Sequence, residues 1–238
     1  MYFPEQGDYI DIHTHEARVH EGVFSVVSLM AHQNLQPENR SGMAFTAGIH
    51  PWYLTEDNRH QLMDYMHGVA GNSGLIAIGE AGFDKLRGPS IELQREIFEE
   101  QLIIAHEIQK PVVIHCVRSW DELLATHRRQ RAGLPWLIHG FRGKSELAVQ
   151  LLKRGMYLSF WFDFILRQES AKLLKSLPRD RFLLETDGAD VSIKDIYKKV
   201  AGDLDISVDE LKATIFSNFK ELFVKSPPTG VIEKVKIP

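Results

Sequence analysis

Six residues spread through most of the sequence, His13, His15, Glu80, His115, His139 and Asp187, have the types and neighbourhoods to hold divalent cations. Histidine-rich ligation of this kind suits Zn, Mn, Fe or Co. His13 and His15 are separated by one residue, so in extended chain both side chains leave on the same side. Two imidazoles converging at a strand end repel when protonated, and a divalent cation removes that conflict. Four histidines with two carboxylates can serve two metals, with Glu80 able to bridge them. A metal pair roughly 3.5–4 Å apart activates water and stabilises both the attacking and the leaving oxygen. The chemistry implied is hydrolysis by a metal-activated water. A lone histidine on a strand is ordinarily a hydrogen-bonded core or rim residue, and His20, His32, His60, His67, His106 and His127 keep that reading. Five separate strand ends that each carry His, Asp or Glu do not fit it.

The elements that must position these groups are short apolar runs at residues 9–13, 23–29, 44–49, 75–80, 112–116, 136–139, 156–160 and 182–185. Their length and their β-branched and aromatic content predict buried strands. Between them lie amphipathic segments. In 92–109, Leu93, Ile97, Phe98, Leu102, Ala105 and Ile108 form one apolar stripe, and Ser90 is placed to cap it. Helices are also expected at 121–131, 145–154, 168–176, 192–201 and 208–224. Strand–helix alternation implies a parallel sheet, and eight strands point to a (β/α)8 TIM barrel with C-terminal helices. Only nine residues separate His13 from Val23, so the barrel should be distorted. His13, Glu80 and His139 end their runs, His115 nearly ends its run, and Asp187 follows the last. A parallel barrel gathers such ends on one face. The barrel is expected over residues 1–224, with 225–238 as a C-terminal extension.

The chain has 238 residues and a formal net charge of −4, which argues against a broad basic face that coats duplex nucleic acid. A small phosphate-binding cleft stays open, because bound metals supply local positive charge. The single cysteine, Cys116, excludes an internal disulfide and suits a reducing compartment; it is expected to be a buried structural thiol. Pro4, Glu5 and Asp8 stand where a signal peptide would be basic and then apolar, and no run approaches the roughly 18 apolar residues of a membrane span. A cytoplasmic protein is expected, with no membrane contact and nothing that calls for a protein partner. Trp52, Trp120, Trp161 and Phe162 offer surfaces that can stack on bases, although packing is the commoner role of each. The RRQR run at 128–131 reads as a solvated helix end.

The motifs DIHTH at 11–15, GIHPW at 48–52, AIGEAGFD at 77–84, PVVIHC at 111–116, IHGFRG at 138–143 and LLETDG at 183–188 follow one another in order. In these the chain resembles the TatD-type metal-dependent deoxyribonucleases, a branch of the amidohydrolase superfamily. The likeness runs to about Phe223, with Asn218, Leu222 and Phe223 matching the family's closing pattern. The resemblance implies a distorted barrel with two divalent ions, Mg, Mn or Zn. His13, His15 and Asp187 would bind one ion, His115 and His139 the other, and Glu80 both. Asp187 would be the general base, Glu185 a further catalytic position, and His50 a substrate contact. The implied substrate is DNA or RNA, attacked from an end.

The chain departs from the family in three places. Val117 stands where the family commonly has Arg, with Arg118 next to it. Arg142 replaces a small polar residue. The loop after Gly188 is short. Arg118 and Arg142 can restore phosphate contacts, since Arg suits bidentate recognition. Two other readings stand beside this one. The first is a hydrolase of carboxylic or aminoacyl esters or lactones, with the same metal pair acting on a carbonyl; the acidic charge and the short loop point that way. The second is a non-catalytic metal-binding protein, against which the intact set of six ligands argues.

Overall fold

The computed structural model describes residues 3–130 and 133–225. The eight runs read as strands are strands: β1 (Tyr9–Thr14), β2 (Val23–Met30), β3 (Met43–Gly48), β4 (Leu75–Asp84), β5 (Val112–Val117), β6 (Trp136–Ile138), β7 (Tyr157–Phe160) and β8 (Phe182–Leu184). They pair in parallel in sequence order, β1 to β8, which gives the (β/α)8 TIM barrel. Buried on both faces, these strands need almost unbroken apolar sequence, and that is why the runs were legible. β4 is the exception: it runs past Glu80 to Asp84, so Glu80 lies inside its strand and does not end it. The pairing of β4 with β5 shifts register between Ile78 and Ala81, beside Gly79 and Gly82, where the apolar pattern breaks.

Among the described residues, eight α-helices accompany the strands. These are α1 (Arg59–Ala70), α2 (Ile91–Glu107), α3 (Trp120–Arg129), α4 (Ser145–Leu152), the single turn α5 (Phe162–Ile165), α6 (Gln168–Ser176), α7 (Ile193–Leu204) and α8 (Val208–Phe223). Neither α1 nor α5 is in the sequence reading. No helix stands between β1 and β2, as the short connection required. The tail 226–238 and Arg131, which closes the RRQR run, lie outside the described residues. No helix among the described residues is long and apolar enough to cross a membrane.

The helices hold the strand ends by polar reach as well as by apolar packing. In α2, Ser90 caps the first turn by accepting from Leu93 N at 3.3 Å, and Leu93, Ile97, Phe98, Leu102 and Ala105 are buried as the stripe predicts. The same helix sends two buried amides into the sheet. Gln101 Oε1 accepts from Ile49 N at 2.7 Å, and Gln94 Oε1 accepts from Asp84 N at 2.8 Å. Tyr197 of α7 exchanges two hydrogen bonds with the backbone of Ile10 in β1, each 3.1 Å. In α8, Asn218 Nδ2 donates to Arg179 O and Phe182 O, both at 2.8 Å, and ties that helix to the start of β8. Asn218→Ala leaves two carbonyls near the core without this donor, so we expect a loss of about 1–3 kcal/mol. Thermal melting checks this, and an unchanged midpoint would show that water replaces the amide at no cost.

Candidate functional site

The site is built around Glu80, which is 3% exposed. The backbones of β3, β4 and β5 come unusually close there. A Cβ on Gly48 would lie 2.5 Å from Glu80 O, and one on Gly79, at φ +133°, would lie 2.3 Å from Val113 O. Glycine is required at both positions, and with it the strands approach closely enough to bring their side chains onto one carboxylate. Oε1 of Glu80 is 2.7 Å from both His115 Nδ1 and His139 Nε2, and 3.1 Å from His50 Nε2. Oε2 is 3.3 Å from His13 Nε2 and 3.9 Å from His15 Nε2. Asp187 Oδ1 completes the group, 3.5 Å from His15 Nε2 and 3.7 Å from His13 Nε2.

Burial alone would keep Glu80 protonated, but the surrounding imidazoles of His139, His115 and His13 outweigh it and hold the carboxyl well below its usual range. The reciprocal effect acts on the histidines. Burial opposes the imidazolium of His139, yet Glu80 and Glu185 raise its proton affinity well above the ordinary value. His115 is raised too, against its burial, by Asp84 and Glu80. His15 is raised by Asp187 and Glu80, again against burial. Asp187 is lowered, because His15, His139 and His13 overcome its desolvation. His50 goes the other way: burial outweighs Glu80 and favours the neutral ring. Its Nδ1 accepts from Trp52 N at 3.1 Å, which puts the ring proton on Nε2, facing Glu80.

A second layer of acids sits behind the histidines. Asp84 Oδ2 lies 3.2 Å from His115 Nε2 and accepts from Trp52 Nε1 at 2.6 Å; against burial, these contacts lower its carboxyl to about 2. Glu185, fully buried, lies 3.3 Å from His139 Nδ1 and accepts a hydrogen bond from Ser159 Oγ. Asp11 accepts from Thr186 N at 2.9 Å and Thr186 Oγ1 at 2.6 Å, and burial raises its carboxyl to about 7.

The residues fit a divalent cation. His13 is fully buried, yet neither ring nitrogen has a hydrogen-bond partner; its 3.3 Å approach to Glu80 lacks hydrogen-bond geometry. Leaving such a group unsatisfied costs about 1–3 kcal/mol, and a coordinated ion removes part of that cost. Three overlapping donor sets each have their donor atoms within 4.8 Å of one another: His13, His15 and Asp187; His13, Glu80 and His139; His50, Glu80 and His115. These are the chemistry of a metal centre.

The structure therefore brings together all six residues singled out as metal donors, and it adds His50 to the same cluster. A cavity of about 290 Å³ opens above them, bordered by Trp52, Trp120, Trp161 and Arg142 among others. Arg142 lies with its guanidinium 5.4 Å over the Trp161 ring. Arg118 is exposed at φ +51° and is not among the cavity-lining residues. Glu185 is also absent from the lining; it sits behind His139. Cys116, expected to be buried away from the metals, is half-buried and borders this cavity; burial pushes its thiol up. Asp84 is the residue the sequence reading missed. It lies four positions after Glu80, the spacing that returns a strand residue to the same side. The signal was present once β4 is extended to its full length.

The family model described as TatD related DNase matches residues 10–224. The Escherichia coli K12 protein named uncharacterized metal-dependent hydrolase YcfH is 28% identical over 203 residues, covering 77% of this chain and 75% of its own length. The 3'-5' ssDNA/RNA exonuclease TatD of Cronobacter sakazakii is 35% identical over 147 residues, which are 60% of this chain and 56% of that protein. Among solved structures, the TatD homolog YJJV of Escherichia coli superposes with a TM-score of 0.75 at 21% identity, over 92% of this chain and 99% of its own. With the family matched over nearly all the described elements, this chain belongs to the TatD-related DNases and is a metal-dependent hydrolase.

Proposed function

We propose that the chain is a phosphodiesterase that removes nucleotides from an end of single-stranded DNA or RNA, using two divalent ions, Mg, Mn or Zn, in a reducing cytoplasmic setting. One observation carries the reading: a buried, ionised carboxylate lies within reach of five imidazoles, at the base of a cavity rimmed by indoles and an arginine. His13, His15 and Asp187 would hold one ion, His115 and His139 the other, and Glu80 would contact both. Ions bound there supply Lewis acidity toward a phosphoryl oxygen and make water a stronger acid.

The protein's own groups do the rest. Asp187 borders the cavity and carries a carboxylate oxygen beside His13 and His15, which places it to orient the attacking water and take its proton. Glu185 is a positioning residue: with Ser159 it fixes His139 so that Nε2 faces Glu80. His50, neutral and with its proton on Nε2, can donate to an oxygen of the substrate. Arg142 borders the cavity and can meet a phosphate at its rim, whereas Arg118 is exposed outside that lining.

The test is metal-replete protein assayed on single-stranded DNA, duplex DNA, RNA and a panel of carboxylic and aminoacyl esters, with and without chelator. Nucleic acid should be consumed and chelator should abolish it. His115→Ala and Asp187→Asn should each lose about 10²–10⁴-fold in kcat. Variants that kept full activity and metal content would sink the site assignment, and turnover of esters alone would sink the nuclease reading. Arg142→Ala should raise KM for oligonucleotides and flatten the salt dependence by a slope of about 0.7, one phosphate contact on a single strand; Arg118→Ala should change neither. A steeper effect at Arg118 would reverse these two roles.

Metal loading should also depend on pH in a definite direction. His115 and His139 hold protons above the ordinary imidazole range, so those protons must leave before a cation can bind. Apparent affinity should therefore rise as pH climbs through neutrality, and calorimetry in buffers of different ionisation enthalpy should detect released protons. Affinity that falls with pH, or uptake without proton release, would mean that these imidazoles are not ligands.

A further inference from the structure

Trp52 lies at the mouth of the cavity in the turn Pro51–Tyr53, and the chemistry above leaves it unused. An indole that only packs would bury its ring; this one is 38% exposed yet held at several points. Its Nε1–H donates to Asp84 Oδ2 at 2.6 Å. It packs edge-to-face with the rings of His50, at 4.8 Å and 73°, and His115, at 5.7 Å and 79°. Above it the guanidinium of Arg87 lies 3.9 Å from the ring centroid. Arg87 is exposed and has no carboxylate partner among the described residues, so its charge is available.

The loop carrying Arg87 is fixed by the same carboxylate that fixes the indole. Asp84 Oδ1 accepts from Leu86 N at 2.7 Å and Arg87 N at 3.1 Å, and Gln94 Nε2 donates to Pro89 O at 2.9 Å. At Gly88 a Cβ would lie 2.4 Å from Pro51 O, so the loop packs directly on the turn that carries Trp52. Two flat groups, one of them cationic, are thus set in place before any substrate arrives. Planar π surfaces accept nucleobases whatever their sequence, and a guanidinium plane stacks on a base while reaching a phosphate.

We propose that Trp52, at the mouth of the cavity, and Arg87, which lies over its ring just outside the lining, form a nucleobase-stacking subsite, with Asp84 positioning both this subsite and His115. The proposal rests on the nucleic-acid reading above. It names the part of the substrate that meets the mouth: a base with its adjoining phosphate. Asp84 ties substrate placement to the reacting centre, since one oxygen contacts both Trp52 and His115.

The experiment measures binding of the metal-loaded full chain to two labelled, phosphorothioate-linked single strands of equal length, one carrying bases and one abasic, by fluorescence anisotropy. Wild-type protein should prefer the base-bearing strand. Trp52→Ala should weaken that strand by roughly ten-fold or more, the size expected for one lost stacking contact, and weaken the abasic strand far less. Trp52→Phe should keep most of the preference, which a merely structural role would not produce. Arg87→Ala should weaken both strands, the base-bearing one more, with melting temperature and metal content as checks on folding. Equal wild-type affinity for the two strands, or a Trp52→Ala loss of the same size on both, would overturn the subsite and leave the nuclease reading standing. Binding of neither strand would overturn the nuclease reading and the subsite with it.

Discussion

The carboxylate of Glu80 is ionised where water hardly reaches it, and the architecture around it answers that constraint. Removing such a charge from water costs several kcal/mol after relaxation, and only close, well-directed partners offset it. The partners are imidazoles delivered from β1, β5 and the segments that follow β3 and β6. Each ring brings a second nitrogen that must also be satisfied. Asp84 serves His115, Glu185 serves His139, and the Trp52 backbone serves His50. His13 has no such partner, and its orphaned ring is where the arrangement is incomplete without a cation. The same negative charge raises the proton affinity of His115 and His139 against their burial.

How much of this could be read in the sequence depends on what each element is made of. Strands buried on both faces are written as apolar runs, so all eight were visible. The second half of β4 was not, because Gly79, Glu80 and Gly82 interrupt its run for the sake of the site. Helix α1 was missed for a related reason. Its buried residues Leu62, Met63, Met66 and Val69 have helical spacing, but Arg59, His60, Gln61, Asp64 and Gly68 dilute the stripe, and Asn58 makes no side-chain cap bond. Packing against the barrel, more than local propensity, makes that segment helical.

The site was legible to the extent that its residues are chemically unusual at strand ends. Histidines that close apolar runs announce themselves, as do Glu80 and Asp187. Asp84 is an ordinary acid in the sequence, and its role appears only when β4 is followed to its end. Asp11 sits inside the most recognisable motif but serves β8 through Thr186. Arg118 and Arg142 show the limit most plainly. Both follow strands and both are exposed, yet only one borders the cavity, and loop direction is set by tertiary contacts that spacing does not record.

The seam between β1 and β8 connects barrel closure to chemistry. Among the described residues no ladder pairs these two strands. They are joined instead by Asp187 N donating to His13 O at 3.0 Å and by the bonds of Thr186 to Asp11. A cavity of about 700 Å³ opens against the same seam, lined by Asp11, Thr14, Thr186 and Gly188 among others. Asp187 is itself at φ +54°, a conformation that L residues other than Asn and Asp seldom adopt, in a segment whose backbone is turned toward β1. His13 and His15 approach from one side of the seam and Asp187 from the other. A cation shared by these three would therefore bridge the gap that strand pairing leaves, and any ligand that binds only the folded state stabilises it. The least regular part of the barrel is thus the part where closing the fold and assembling the site are the same event.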